Sequence, residues 1–306
     1  MKFTMFADFH HAPGRFMRGG FEDLDFIFER AEKEEVDFII HAGDLTHGPS
    51  KHLDFVNKYN NFHIPTYNCL GNHDADGTPY EETLKLYNME NGHYYFDNGG
   101  YRIIVMDPNY FEKDGKYVHY SMGNQYENLK TCDWVPPEQV EWLKETIATA
   151  PGPCIVIAHE SFERESYGVK NMMEIRKIFN DANAKKTNSV LMVINGHHHR
   201  DFVRILDGII YFDMNSTNYE WVAKPHNCYP AELMEKYYSL KNCVSYDAPI
   251  HAVITVEGTT VTCEGMETTM FMGVKREDTG NDRFDQAGRE VTPTVQSFKI
   301  TLSKHE

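Results

Sequence analysis

Short apolar runs in this chain end, almost directly, in small groups of acidic, amide or imidazole side chains. Residues 3–7 run into Asp8-Phe9-His10 and residues 36–41 into Gly43-Asp44. Residues 65–70 run into Gly71-Asn72-His73-Asp74, residues 154–158 into His159, and residues 190–194 into Gly196-His197-His198-His199. Apolar runs this short, bounded by turn residues, read as buried strands. Polar groups just past strand C-terminal ends are where open α/β sheets build their sites. The pattern confines the chain to an α/β fold in which several strand ends converge.

Amphipathic segments separate these strands. Leu24, Phe28 and Ala31 share one face of a helix predicted over 24–34, and Val140, Leu143 and Ile147 share a face over 138–148, after Pro136-Pro137. Further helices are predicted over 53–60, 81–87 and 172–184. Segments 94–96 and 101–107 flank Asn98-Gly99-Gly100, a hairpin signal that makes a sheet mixed. Residues 109–135 show no period and are too long for an ordinary connection, so they read as a functional loop or cap. Past the last cluster, alternating runs at 202–206, 209–214, 252–256 and 260–264 read as meander strands finishing a second sheet. Residues 223–247 read as an insertion with a short helix at 231–240. This places a catalytic domain over 1–273 and a polar tail over 274–306, strand-like at 295–302, packing on that domain.

The clustered side chains form a donor set for divalent ions. Two residues apart at a strand end, Asp8 and His10 are expected to point the same way by strand alternation, as are His197 and His199. Asp44 follows Gly43, which permits a tight turn, and its two oxygens can bridge ions about 3.5–4 Å apart. Asn72 and His159 add coordination without charge. Carboxylate, imidazole and amide donors without thiolate suit manganese, iron or zinc in a hydrolytic site better than a closed structural zinc site.

Bulk properties narrow the partners. With 306 residues and a net charge of -16, the chain is ill-suited to tight, sequence-independent nucleic-acid binding. A phosphorylated small-molecule substrate remains compatible, because two dications beside two carboxylates leave the pocket locally positive. The six cysteines form no close pairs of metal or redox spacing. Residues 1–11 lack a signal-peptide pattern, and no apolar run is long enough to span a membrane, so a cytoplasmic protein is expected.

Taken together the five blocks resemble the calcineurin-like metallophosphoesterase family, with its DxH, GDxx, GNH[DE], lone His and GHxH segments. The resemblance covers residues 8–199 and implies a four-layer α/β/β/α sandwich with two mixed β-sheets. It implies two divalent ions, one on Asp8, His10, Asp44 and His199, the other on Asp44, Asn72, His159 and His197. The activity implied is phosphoester hydrolysis by a metal-bridging hydroxide, on a phosphomonoester or small phosphodiester. A cyclic-nucleotide or nucleic-acid phosphodiesterase is the alternative, and a non-catalytic metal-bound scaffold a further one. His73, outside both ligand sets, is then free to stabilise the transition state or protonate the leaving oxygen, with Asp74 orienting it. In one departure His47 ends the second block where many members carry an acidic residue; it reads as a neighbour of the ligands. Ser161 reads as a loop serine, His11 and His198 as turned away, and Arg15 and Arg18 as solvated, with a phosphate clamp as the alternative. Tyr110, Tyr117, Tyr120, Tyr167, Tyr219 and Trp221 divide between packing and the cleft. Substrate identity and oligomeric state stay open.

Overall fold

Strand Lys2–Phe6 pairs in parallel with Phe38–His41, which pairs in parallel with Thr66–Tyr67. This computed structural model describes residues 1–164, 166–285 and 288–303. On its other edge Lys2–Phe6 takes Ala252–Glu257 antiparallel, followed by Thr260–Glu264 and Phe298–Thr301, completing a mixed sheet of six strands. A second six-stranded mixed sheet has the order Phe202–Leu206, Ile209–Asp213, Val190–Asn195, Cys154–Ala158, Tyr101–Val105, Tyr94–Asn98. Its four central strands run parallel, and antiparallel strands close both edges.

Strand alternation divides the core. Ile103, Val105, Ile155, Ile157 and Ile194 join Phe3, Met5, Ile40 and Ile254 of the first sheet in one apolar cluster. Their neighbours Ile104, Val156 and Val193 point to the opposite face and pack with Val140, Leu143, Ile147, Ile175 and Phe179. Those five come from helices Pro137–Ala148 and Met172–Lys185. Helix Phe21–Lys33 buries Leu24, Ile27, Phe28 and Ala31, and helix Leu53–Asn60 buries Phe55, Val56 and Tyr59, in the cluster of the first sheet. Asp23 starts the former helix by accepting the backbone N–H groups of Gly19 and Gly20 at 2.7 and 3.2 Å. Each such fully buried aliphatic side chain contributes about 1.5–3 kcal/mol.

Several expectations require revision. The strand expected over 65–70 shrinks to Thr66–Tyr67, because the chain turns to present Asn72. The four late strands do not form one meander. Ile209–Asp213 runs parallel to Val190–Asn195, whereas Ala252–Glu257 enters the first sheet. Ala252, Val253, Ile254 and Val256 are all buried, so that strand needs cover on both faces and takes an internal position. Residues 109–135 contain a hairpin, Tyr110–Lys113 with Lys116–His119, and a 3-10 turn at Asn124–Glu127. Within 223–247 lie a helix at Ala231–Lys236 and a strand, Cys243–Ser245, paired with Tyr219–Trp221. In the tail, Phe298–Thr301 forms the edge strand of the first sheet. Among the described residues no helix is long and apolar enough to cross a membrane.

Candidate metal centre

Strands Lys2–Phe6, Phe38–His41, Cys154–Ala158 and Val190–Asn195 all end at one face of the molecule, and the loops that follow carry the clustered side chains. Segment 8–11 leaves its sheet yet stays registered on the next loop: the N–H groups of Asp8, His10 and His11 donate to the carbonyls of Gly43, Asp44 and Leu45 at 3.1, 2.9 and 2.9 Å. Asp8 and His10 do share a direction, but strand alternation is not the cause. Both have left-handed backbone, φ 52° and 55°, as do Asp44 at 54°, His197 at 66° and His199 at 49°. Positive φ is uncommon outside glycine, and Asp and His tolerate it better than most. Such strain persists where the surroundings enforce it, typically at functional sites.

Two glycines allow the loops to close on one another. A Cβ on Gly43, whose φ is 87°, would lie 2.3 Å from Nδ1 of His159. A Cβ on Gly71 would lie 2.3 Å from Oδ1 of Asp44. In both cases the excluded atom belongs to a side chain of the centre from another block.

The donor atoms converge. Nε2 of His199 lies 3.2 Å from Oδ1 of Asp8 and 3.2 Å from Nε2 of His10, which is 3.7 Å from Oδ2 of Asp44. On the other side, Nε2 of His159 lies 3.2 Å from Oδ2 of Asp44, from Oδ1 of Asn72 and from Nδ1 of His197. Asp8, His10 and His159 are fully buried, and Asp44 and His199 are 2% exposed.

Hydrogen bonding on the far side of two rings decides what the near side presents. Nδ1 of His159 faces the carbonyl of Ala42 at 2.7 Å, and Nδ1 of His199 faces the carbonyl of Tyr219 at 3.1 Å. A carbonyl only accepts, so each Nδ1 donates to it and each ring turns Nε2, the atom that would bind a cation, toward the centre. Nitrogen and oxygen donor atoms then face one another in a buried space, an arrangement that needs a proton or a metal ion between them. Acidic and imidazole groups here, Asp8 with His10 and His199, and Asp8 with Asp44 and His159, are spaced to hold a metal ion.

The electrostatics agree. Burial would raise the carboxyl of Asp8, but His199, His10 and His159 hold it well below the usual range; Asp44 is held down likewise by His159 and His73. Burial pushes His10 down to about 4, so it is neutral at physiological pH. His159 also suffers burial, yet Asp44 and Asp8 draw a proton to it and raise it well above its ordinary value. A metal ion would replace that proton.

A model of calcineurin-like phosphoesterases matches residues 1–201. The chain belongs to this family. Membership makes it a metal-dependent phosphoester hydrolase by class. Two solved structures show the same fold at low identity. A dimetal phosphatase from Danio rerio is 12% identical over 99% of both chains, with a TM-score of 0.63. GAP50, the anchor in the inner membrane complex of Plasmodium, is 13% identical, covering 99% of this chain and 89% of that one, with a TM-score of 0.55. No curated protein matches the sequence.

Within this phosphoesterase the structure brings Asp8, His10, Asp44, Asn72, His159, His197 and His199 together, but it separates Asp74 from the His73 ring. Asp74 is buried beneath the loops and accepts the N–H groups of Asp44, Thr46 and Gly71 at 2.9, 3.0 and 2.9 Å, and the hydroxyl of Tyr87 at 2.5 Å. Burial and the charge of Asp44 push it up to about 7, against the pull of those donors. The carboxylate on His73 is Asp76, whose Oδ2 lies 2.8 Å from Nδ1. Tyr126, from the 109–135 segment, donates to Oδ1 of Asp76 at 2.9 Å. Burial lowers His73, but Asp44 and Asp76 more than offset it, leaving its pKa raised. The i,i+3 spacing of His73 and Asp76 in a tight turn was the available signal for this pair.

His47 is buried with Nε2 3.0 Å from Nδ1 of His10, and Nη1 of Arg15 lies 2.9 Å from its Nδ1. Burial, then His73, pushes it down to about 2. Of the two arginines, Arg18 is engaged by Asp23 and the Tyr246 carbonyl, which removes it as a clamp, while Arg15 sits at the rim with Ser239 of the 223–247 segment. Nδ1 of His11 faces the Gly19 carbonyl at 2.6 Å, and His198 faces the Ser166 carbonyl. Oγ of Ser161 accepts two backbone N–H groups of its own turn. Tyr219 is buried against His10 and His199, Tyr120 bonds Asp133, and Tyr167 is exposed.

Proposed function

We propose that the chain hydrolyses a phosphomonoester or small phosphodiester at a binuclear centre in the cytoplasm. The observation that carries this reading is the inward pair of Nε2 atoms on His159 and His199, oriented by the Ala42 and Tyr219 carbonyls and met by Asp8, Asp44 and Asn72. Asp8, His10, Asp44 and His199 would hold one ion, and Asp44, Asn72, His159 and His197 the other. Manganese, iron and zinc all suit these donors. When bound, such ions polarise a phosphoryl oxygen and lower the pKa of water so that it attacks near neutral pH.

The side chains do the rest. Asp44 spans both halves, and its Oδ1 accepts the backbone N–H of His73 at 2.7 Å, which holds that residue, and its imidazole with it, beside the bridge. Asp76 keeps that imidazole charged and oriented, so it can protonate the leaving oxygen. Arg15 and Tyr126 stand at the rim to meet a phosphate or its substituent. Six free cysteines fit a reducing compartment.

Metal-depleted protein reconstituted with manganese, iron or zinc should hydrolyse nitrophenyl phosphate, its diester analogue, or both. A preference between them decides monoesterase against diesterase. Fully loaded protein that turns over neither, nor a cyclic nucleotide, would defeat the proposal and favour a metal-bound scaffold.

A further inference from the structure

Glu160 follows His159 directly, and its carboxylate is fully buried with neither oxygen hydrogen-bonded to another of the described residues. It lies within 4.8 Å of ring nitrogens of both His159 and His197. Among the described residues no lysine or arginine pairs with it. A carboxylate taken out of water and left without donors is sustained only by a nearby cation or by a proton.

The two halves of the centre differ in charge. The Asp8 half brings its own carboxylate and shares Asp44; the His159 half has only the shared Asp44, with Asn72, His159 and His197 neutral. Two dications against two carboxylates leave an excess of positive charge, and it falls on the His159 half. Glu160 sits on that side.

We propose that Glu160 is the third carboxylate of the centre, supplying the missing negative charge to the ion held by His159 and His197. This rests on the binuclear reading above. Its role is to retain the second ion, and the first half is complete without it.

The test is a titration of metal-depleted protein with Mn²⁺ alone, in competition with a chelator, alongside electron paramagnetic resonance for the coupling of a manganese pair. Wild-type protein should take up two ions. Glu160→Gln should keep the first and bind the second about 10–100-fold more weakly, with the coupled signal replaced by that of isolated ions. Glu160→Asp, which keeps the charge one methylene further back, should fall between, and it serves as the reading if the Gln variant does not fold. Glutamine reproduces a protonated carboxyl, so equal second-ion affinity in wild type and Glu160→Gln overturns the proposal. A Glu160→Asp variant that binds the second ion no more tightly than Glu160→Gln overturns it too. Wild-type protein that never takes up a second ion overturns the binuclear reading itself, and this proposal with it.

Discussion

Nδ1 of His73 lies 2.8 Å from Oδ2 of Asp76, three residues on in the same tight turn, while Asp74 between them is turned into the protein. Asp44 and Asp76 raise the pKa of His73 above its ordinary value despite burial. Removing Asp76 withdraws one of the two charges that do so. Asp76→Asn should therefore deprotonate His73 at lower pH, and the alkaline limb of the pH–rate profile should move down. Metal content should not change. An unshifted profile with normal metal content would separate Asp76 from the proton transfer.

His73 touches the centre through its backbone N–H to Asp44 and packs its ring edge-on against His10, with no ring hydrogen bond to a proposed ligand among the described residues. His73→Ala keeps that N–H, so both ions should remain while turnover falls by about 10²–10⁴-fold. Atomic emission and kcat measured on the same sample check this. Full activity would remove His73 from the reaction.

How much of this was legible in the sequence depends on what kind of contact was sought. Asp8, Asp44, His159 and His197 follow apolar strands, and strand ends meet in an α/β sheet, so their convergence could be read without coordinates. Their direction could not, because it comes from left-handed backbone at Asp8, His10 and Asp44, whereas alternation assumes extended chain. The choice between Asp74 and Asp76 was equally hidden: in a 3-10 turn, which carboxylate meets a given ring depends on what lies beneath, here Tyr87 and three backbone N–H groups. Tyr126 comes from a segment with no period, and Ser239 from an insertion whose short helix gave no sign of where it packs. Glu160 was passed over because its significance is a missing partner, and a sequence does not show absences of contact.

Metal binding should be coupled to protons at one histidine more than another. Burial has already pushed His10 down to about 4, so ligation there releases no proton near neutral pH. His159 is raised by Asp44 and Asp8 and must give up its proton to a cation. Without metal, this raised value stabilises the fold below about pH 6.5, the ordinary histidine value, and that contribution is lost as pH rises through the folded pKa. Metal affinity should run the opposite way, weakening on acidification. Adding Mn²⁺ to lightly buffered protein near neutral pH should acidify the solution, and His159→Gln should reduce the protons released. Equal release in both would place the titrating proton elsewhere.

Gly71 offers a way to disturb the bridge from the neighbouring loop, since its own φ of -113° suits any residue. Gly71→Ala would set a methyl 2.3 Å from Oδ1 of Asp44 and 2.4 Å from its backbone nitrogen. The Asp44 carboxylate and its loop must shift, and with them the N–H contact to His73. The overpacking should cost about 1–3 kcal/mol, and because Asp44 serves both halves the variant should lose affinity for both ions together. Chelator competition beside thermal unfolding of the metal-free protein separates the two effects. Loss of one ion alone would mean that Asp44 does not bridge.

Tyr87→Phe tests the role assigned to Asp74 from underneath. The Tyr87 hydroxyl donates to Oδ1 of Asp74 at 2.5 Å, and Asp74 in turn holds the N–H groups of Asp44, Thr46 and Gly71. Hydrogen bonds to charged groups contribute about 1.5–3 kcal/mol, so the substitution should lower stability by that order in denaturant unfolding. If Asp74 is a positioning residue for the Asp44 and Gly71 loops, both ions should bind more weakly while the pH profile governed by His73 stays in place. A shifted profile with unchanged metal affinity would instead return Asp74 to the proton transfer, as the partner of His73 that its neighbouring position in the chain suggests.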